Sequence, residues 1–245
     1  GWPLVLKSAR GGYDGKGVWV VHDEQSALEV MADIHQHGQE VLAEECVGFV
    51  RELSAQVARN VSGETRTYCV VQSTQTDGIC HEVIAPCPDL DKFRSEQAQE
   101  IAVRIATLLN VTGMLAVELF DTGSELLVNE LAMRPHNSGH WSMDGAVTSQ
   151  FENHLRAVLD WPLGACDQSA ESTVMVNLLG GSATNLHETT MLAIRENPSI
   201  KVHLYGKDVK RGRKIGHVNV SGDNLEHLLQ QAWTAANYIT GVNDE

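Results

Sequence analysis

Positive charge is scarce in this 245-residue chain, where 18 Lys and Arg stand against 32 Asp and Glu for a formal net charge of −14. Nucleic-acid binding draws its affinity from a basic face that neutralises phosphates, so this balance argues against a nucleic-acid partner. Aromatic residues make up only 5% of the chain, too few for a platform on which successive bases stack. No apolar run approaches the roughly 18 residues of a membrane-spanning helix, so no membrane partner is expected. The start lacks the charged-then-apolar pattern of a signal peptide. Cysteine occurs at positions 46, 69, 80, 87 and 166, an odd number with no C-x-x-C spacing. That excludes a zinc ligand set and a disulfide framework and suits the mostly buried, reduced thiols of a cytoplasmic protein. Internal repeats and low-complexity segments are also absent.

What is there is a composition of 42% hydrophobic and 20% charged residues, enough for a real core in one large or two modest domains. The few basic residues are not spread evenly. Residues 1–22 hold Lys7, Arg10 and Lys16 against Asp14, a net +2, and residues 207–214 (KDVKRGRK) hold five basic groups against Asp208, a net +4. Taking these from the total of −14 leaves −20 on the other 215 residues. Two basic loops on an acidic body look like anion pockets, although a basic run is more often a solvated turn.

Strands are predicted at 3–7, 18–21, 41–45, 52–59, 66–71 and 79–84, from alternation, β-branched residues and flanking turn signals. Asp23 is placed to cap a helix to about His37, and Ser95 to cap a longer one with Ala98, Ile101, Ala102, Ile105, Leu108 and Leu109 on one face. Residues 113–121 and 126–131 read as a hairpin joined at Thr122-Gly123-Ser124, followed by a loop over 133–145 and a helix over about 148–159. Trp161-Pro162-Leu163-Gly164 and the polar stretch 165–172 suggest a boundary. Beyond it come a strand at 173–178, a short helix after Asn185, the basic loop, a strand at 215–220 and a closing helix over 223–239. Strands dominate with helices beside them, so the class is α+β with largely antiparallel sheets. The strand-like run from Trp2 begins at once, as if the chain enters a fold part-way.

Three stretches carry chemistry. Arg10-Gly11-Gly12-Tyr13-Asp14-Gly15-Lys16-Gly17 places four glycines between two strand signals. Such a loop lets backbone N–H groups approach phosphate, with Lys7 reaching the same oxygens, but it also fits a flexible hairpin turn. It is neither a Walker A loop nor a dinucleotide fingerprint, because a strand follows where a helix should. The hairpin at Ser124 sets Glu118 opposite Glu130 in otherwise apolar strands. Two carboxylates so placed suit Mg²⁺, with Asn129 and Asn137 able to add neutral oxygens, yet glutamates on a wet outer face fit the same spacing. Arg134-Pro135-His136-Asn137-Ser138-Gly139-His140-Trp141 then packs many different donors into one loop, a chemistry more often functional than structural.

These segments, with E-E-C-V, V-E-L-F, V-N-E-L-A and R-P-H-N-S-G-H-W through D-G-A-V-T-S-Q-F-E-N-H-L-R, resemble the N5-carboxyaminoimidazole ribonucleotide synthetases. These are the ATPase subunits of phosphoribosylaminoimidazole carboxylase, ligases of the ATP-grasp superfamily in purine biosynthesis. The resemblance runs from residue 1 to 217 and implies an ATP-grasp region over 1–162, with a smaller lobe at 1–47 and a larger one at 48–162. A small C-terminal α+β domain over 171–245 would follow. It implies ATP-dependent carboxylation of 5-aminoimidazole ribonucleotide by bicarbonate through carboxyphosphate, with Mg²⁺, giving ADP and phosphate. A formate-dependent glycinamide ribonucleotide transformylase is the neighbouring alternative in the same fold. A non-catalytic nucleotide-binding fragment is another, since the family's N-terminal domain has no counterpart in this sequence and the full-length enzyme is expected to be a homodimer.

Carried over residue by residue, the resemblance gives ATP contacts to Lys7, Gly12, Tyr13, Asp14, Gly15, Lys16, Gly17 and Val18. It makes Glu44, Glu45, Cys46 and Val47 the adenine hinge and gives Glu52 the ribose, with Gln75 standing where a histidine is common. Glu118 and Glu130 would hold Mg²⁺ beside Asn129. Tyr13, Asp14, Arg134, His136, Asn137 and Ser138 would line the ribonucleotide and bicarbonate site, while Lys207, Arg213 and Lys214 would meet the ribonucleotide 5′-phosphate.

Overall fold

The structure, a computed structural model, describes residues 1–10, 16–36, 38 and 40–242. Among these the strands form two antiparallel sheets. In the smaller sheet, β1 (Leu4–Ser8) lies between β2 (Val18–Val21) and β3 (Val41–Glu45). Helix α1 (Glu24–Gln36) closes it by burying Ala27 with Leu6 and Val21. Asp23 starts that helix as its pattern predicts, with Oδ1 accepting the Ser26 N–H at 2.8 Å. Its predicted end at His37 lies outside the described residues.

The larger sheet runs in the order β11 (Lys201–Leu204), β12 (Lys214–Gly222), β10 (Ser172–Leu179), β7 (Ile79–Ala85), β6 (Val71–Thr76), β4 (Arg51–Arg59), β8 (Gly113–Asp121) and β9 (Leu126–Ala132). The short β5 (Thr65–Thr67) pairs with β4. The strand predicted over 66–71 is thus two pieces. Between them Tyr68 is wholly buried, its N–H bonded to the Gln56 carbonyl at 3.0 Å and its hydroxyl to the Thr148 carbonyl at 2.9 Å. Strand β11 was not predicted, since its four residues KVHL carry too little alternation to stand out. β10 pairs with β7, so the strands beyond the polar 165–172 stretch continue the same sheet.

Strand alternation sorts the faces. On one, Leu53, Ala55 and Val57 of β4 and Leu115, Val117 and Leu119 of β8 pack on α2 (Lys92–Leu108) through Ala98, Ala102 and Ala106. The cap of α2 is Asp91, whose Oδ1 accepts the Arg94 N–H at 2.9 Å, and Ser95, predicted as the cap, lies inside the first turn. The α5 (Leu186–Glu196) and α6 (Leu225–Thr240) helices cover Val174, Val176, Val218 and Val220 of the neighbouring strands. The opposite face carries Glu52, Ser54, Gln56, Glu118, Asn177, His217 and Asn219, and α3 (Ser142–Gly145) and α4 (Gln150–Val158) lie beside it.

Asp121, 2% exposed, ties the sheet to α2. Its carboxylate meets Arg51 Nε at 3.3 Å and Arg94 Nη1 at 2.8 Å and accepts the Gly123 N–H at 2.9 Å. Removing one partner from a buried charge pair strands the others, so Asp121→Asn should lower unfolding free energy by about 2–3 kcal/mol in urea titrations.

Candidate functional site

The centre of the polar face is a pair of carboxylates. Glu118 of β8 stands in register with Glu130 of β9, and the ladder shifts immediately after them, so that Leu119 pairs with Val128. Asn129 is the extra residue of this bulge, and a bulge re-aims side chains that regular pleating would send elsewhere. Its Oδ1 accepts a bond from Lys7 Nζ at 3.0 Å, joining the larger sheet to the smaller one. The same ammonium pairs with Glu44 Oε2 at 2.6 Å.

Glu118 is largely buried whereas Glu130 is exposed. Burial, the facing Glu130 and the nearby Glu52 push the Glu118 carboxyl up to about 7, against the pull of Lys214 and Arg134. Burial also raises Glu52, although the Gln75 backbone N–H bonds its carboxylate. Three acids and two cations therefore converge here with negative charge in excess. Among the described residues no three His, Cys, Asp or Glu side chains form a ready metal cage. Two carboxylates alone still fit Mg²⁺, which often takes one or two from protein and its other oxygens from water and phosphate.

The loop after β9 is held from below. His136 Nε2 lies 3.7 Å from Glu118 Oε1, and its Nδ1 lies 2.8 Å from Ser138 Oγ. Ser138 Oγ also meets Ser54 Oγ at 2.8 Å and accepts from Gln56 Nε2 at 3.0 Å. Gln150 clamps the backbone on both sides of His136, with Oε1 accepting its N–H at 2.9 Å and Nε2 donating to its carbonyl at 2.8 Å. The glycine at 139 is required by this approach, because a Cβ would strike the Gln150 and Gln56 side-chain oxygens. Ser138 is 1% exposed and serves as a support for His136, away from any open surface. Asn137 Nδ2 is buried without a hydrogen-bond partner among the described residues. Arg134 is exposed, with Nη1 on the Pro135 carbonyl at 3.1 Å.

The remaining predicted residues fall at the rims. Lys16 and Val18 are exposed at the edge of the small sheet and Gly17 O accepts from Ser8 N at 2.8 Å, while Gly12, Tyr13, Asp14 and Gly15 lie outside the described residues. Glu44 and Glu45 belong to β3, with Cys46 and Val47 just beyond it, and Glu44 turns to Lys7. Gln75 reaches the site through its backbone, opposite Cys80 at a bulge in the β6–β7 hairpin. Lys214, the first residue of β12, is close enough to influence Glu118, whereas Lys207 and Arg213 stand on the exposed loop before it. Among the cysteines, all free, Cys80 and Cys87 are buried and Cys46, Cys69 and Cys166 partly so.

Sequence reasoning missed the supports: Ser54, Gln56 and Gln150. A signal existed for the first two, since S-x-Q at alternate positions of an apolar strand marks a polar face.

A family model described as the ATP-grasp domain matches residues 1–151. The chain belongs to the ATP-grasp family. Residues 173–231 of this ATP-grasp chain match the phosphoribosylaminoimidazole carboxylase C-terminal domain. It is 47% identical to N5-carboxyaminoimidazole ribonucleotide synthase of Corynebacterium ammoniagenes over 98% of its length and 60% of the relative's. Identity to the synthase of Mycobacterium tuberculosis is 48% over 97% of the chain and 56% of the relative. The crystal structure of N5-carboxyaminoimidazole ribonucleotide synthetase from Thermus thermophilus is similar at TM-score 0.85 and 35% identity, covering 100% of this chain and 64% of that one. The Aspergillus clavatus synthase in complex with ADP and 5-aminoimidazole ribonucleotide gives TM-score 0.86 at 29% identity, covering 98% and 63%. The chain thus spans about 60% of the length of the curated relatives it matches.

A carboxyl raised in the fold binds its proton more tightly there than in the unfolded chain, so stability falls as pH rises from about 4.5 to about 7. In metal-free protein, Glu118→Gln should therefore raise stability at pH 8 by about 2–3 kcal/mol, an advantage that vanishes near pH 4.5 in thermal melts.

Proposed function

We propose that this chain supplies the ATP site and much of the ribonucleotide site of an enzyme that carboxylates 5-aminoimidazole ribonucleotide with bicarbonate, consuming ATP in purine biosynthesis. The observation that supports it best is the convergence of Glu118, Glu130, His136 and Lys214 on one sheet face, with Lys7 of the small sheet bonded to Asn129 beside them. A phosphate chain lying between the sheets would meet the Lys7 ammonium from one side and the carboxylate pair from the other. Glu118 and Glu130 would hold Mg²⁺, which when bound screens phosphate oxygens from the attacking group and neutralises developing charge. Glu52 would accept from sugar hydroxyls, and Glu44 and Glu45 with Cys46 and Val47 would border the base.

His136, fixed by Gln150 and Ser138, can keep one ring nitrogen toward Glu118 and the reacting groups, and Arg134 on the exposed side can receive bicarbonate or a ribonucleotide oxygen. Lys207, Arg213 and Lys214 would take the ribonucleotide phosphate, where the guanidinium fork of Arg213 suits a phosphomonoester. The ATP-binding region would span 1–162 and the C-terminal domain 171–245, and the full-length enzyme would act as a homodimer in the cytoplasm.

The full-length parent should release phosphate from ATP only when bicarbonate and the ribonucleotide are both present. Release that ignores the ribonucleotide, or that formate supports in place of bicarbonate, refutes this reading. In the same assay Glu118→Gln and Glu130→Gln should each abolish turnover. For the 245-residue chain itself, calorimetric titration with Mg-ATP should show binding that Lys7→Ala weakens at least about tenfold, roughly the 1.4 kcal/mol of one charge-assisted bond. Turnover of this chain alone should be weak or undetectable.

A further inference from the structure

Beside the carboxylate pair, three imidazoles stack without a part in that chemistry. His203 of β11 and His217 of β12 face each other across the ladder with ring centroids 4.6 Å apart, and His140 stacks on His217 at 4.9 Å. His203 Nε2 bonds Asp144 Oδ2 at 2.8 Å, and Asn219 Nδ2 reaches the same oxygen at 2.7 Å. Burial and the neighbouring imidazoles lower His217 to about 2, and burial with nearby imidazoles and cations lowers His140 to about 4, so both are neutral near pH 7.

A neutral His217 carries one N–H. Its Nε2 is buried with no hydrogen-bond partner among the described residues, while its Nδ1 lies 2.8 Å from the Tyr205 hydroxyl. An orphaned buried N–H is rarer and costlier than a bare acceptor, so the proton belongs on Nδ1, donating to the Tyr205 oxygen. The Tyr205 backbone N–H is bonded to the Ile215 carbonyl at 2.9 Å. The half-buried ring is thus pinned at both ends, and the ammonium of Lys207, itself on the exposed loop, sits over its face at 5.2 Å from the centroid. Tyr205 is also near enough to Cys80 to be influenced by it, and Cys80 in turn feels Lys214 and Glu118.

We propose that His217 and Tyr205 are positioning residues for Lys207, holding its ammonium pre-placed on the Tyr205 ring to receive a phosphate group. A lysine on an exposed loop otherwise samples many rotamers, and the freedom lost on meeting an anion weakens binding. Here that freedom is already restricted by a ring whose hydroxyl is tied into a buried stack. The idea rests on the reading of Lys207 as a ligand of the ribonucleotide phosphate.

Two measurements on the 245-residue chain separate the idea from that reading. The first needs no substrate: with lysine isotope labelling, the Lys207 ε-methylene protons should show an upfield ring-current shift. Tyr205→Leu should abolish it, and Tyr205→Phe, which keeps the ring but loses the bond to His217, should reduce it. The second is titration with 5-aminoimidazole ribonucleotide. Tyr205→Leu should weaken binding about two- to fivefold, the worth of one exposed cation–π contact, and should have no further effect in a Lys207→Ala background. A wild-type chain without the shift, or a Tyr205→Leu loss that persists undiminished beside Lys207→Ala, overturns the proposal. The expected ring-current pattern in a chain that binds no ribonucleotide upholds the placement of Lys207 on the ring and refutes the reading of Lys207 as a ligand of the ribonucleotide phosphate instead.

Discussion

A carboxylate cannot stay ionised in a largely buried place without a partner, and Glu118 shares its sheet face with two other acids. Glu130 faces it and Glu52 lies near it, so compensation for its charge has to come from outside these acids. Lys214 and Arg134 supply part of it, and they come from opposite directions in the chain, one at the start of β12 and one from the loop after β9. The C-terminal strands must therefore extend the same sheet for the site to exist, and the β7–β10 ladder is what brings them there. The residual negative charge is the feature that a divalent cation would satisfy.

Three irregularities in the ladders fall at this site, and each re-aims something the site uses. The shift after Glu118 leaves Asn129 as an extra residue facing Lys7. The shift between Thr74 and Gln75 lies where the Gln75 N–H meets Glu52. A third, between Leu178 and Leu179, makes Ile215 the extra residue, separating the pairing of Lys214 from that of Gly216. Regular pleating would have placed alternate residues on opposite faces, so adjacent residues such as Asn129 and Glu130 could not have served one site.

The hairpin of Glu118 and Glu130, the α+β class and most strands were legible because alternation and turn residues are local signals. The cap of α2 was misplaced at Ser95 because serine and aspartate both cap well, and the choice of Asp91 depends on which residues the first turn must bury. The bulges were not legible, since no residue type demands them. Nor was the fate of Ser138, whose hydroxyl looks catalytic in a loop of donors but is used up by Ser54, Gln56 and His136. The first two partners come from a strand more than 80 positions earlier, a separation no local pattern reports.

Helix α4 shows how the loop carrying Arg134 and His136 stays in place. Its orientation is inverted relative to an ordinary surface helix. Gln150 and Asn153 are wholly buried, while Phe151, Leu155 and Val158 are exposed. The inward polar residues form hydrogen bonds rather than fill space. Gln150 holds both sides of His136. Asn153 Oδ1 accepts the Gly164 N–H at 2.8 Å, and its Nδ2 donates to the Tyr68 hydroxyl in the core at 2.8 Å. A buried amide is tolerated only where its donors and acceptors are met, so each of these side chains admits few positions for its partners. Directional bonds therefore fix the backbone around His136 more narrowly than apolar contact would, while Arg134, two residues earlier, stays exposed to whatever enters the site.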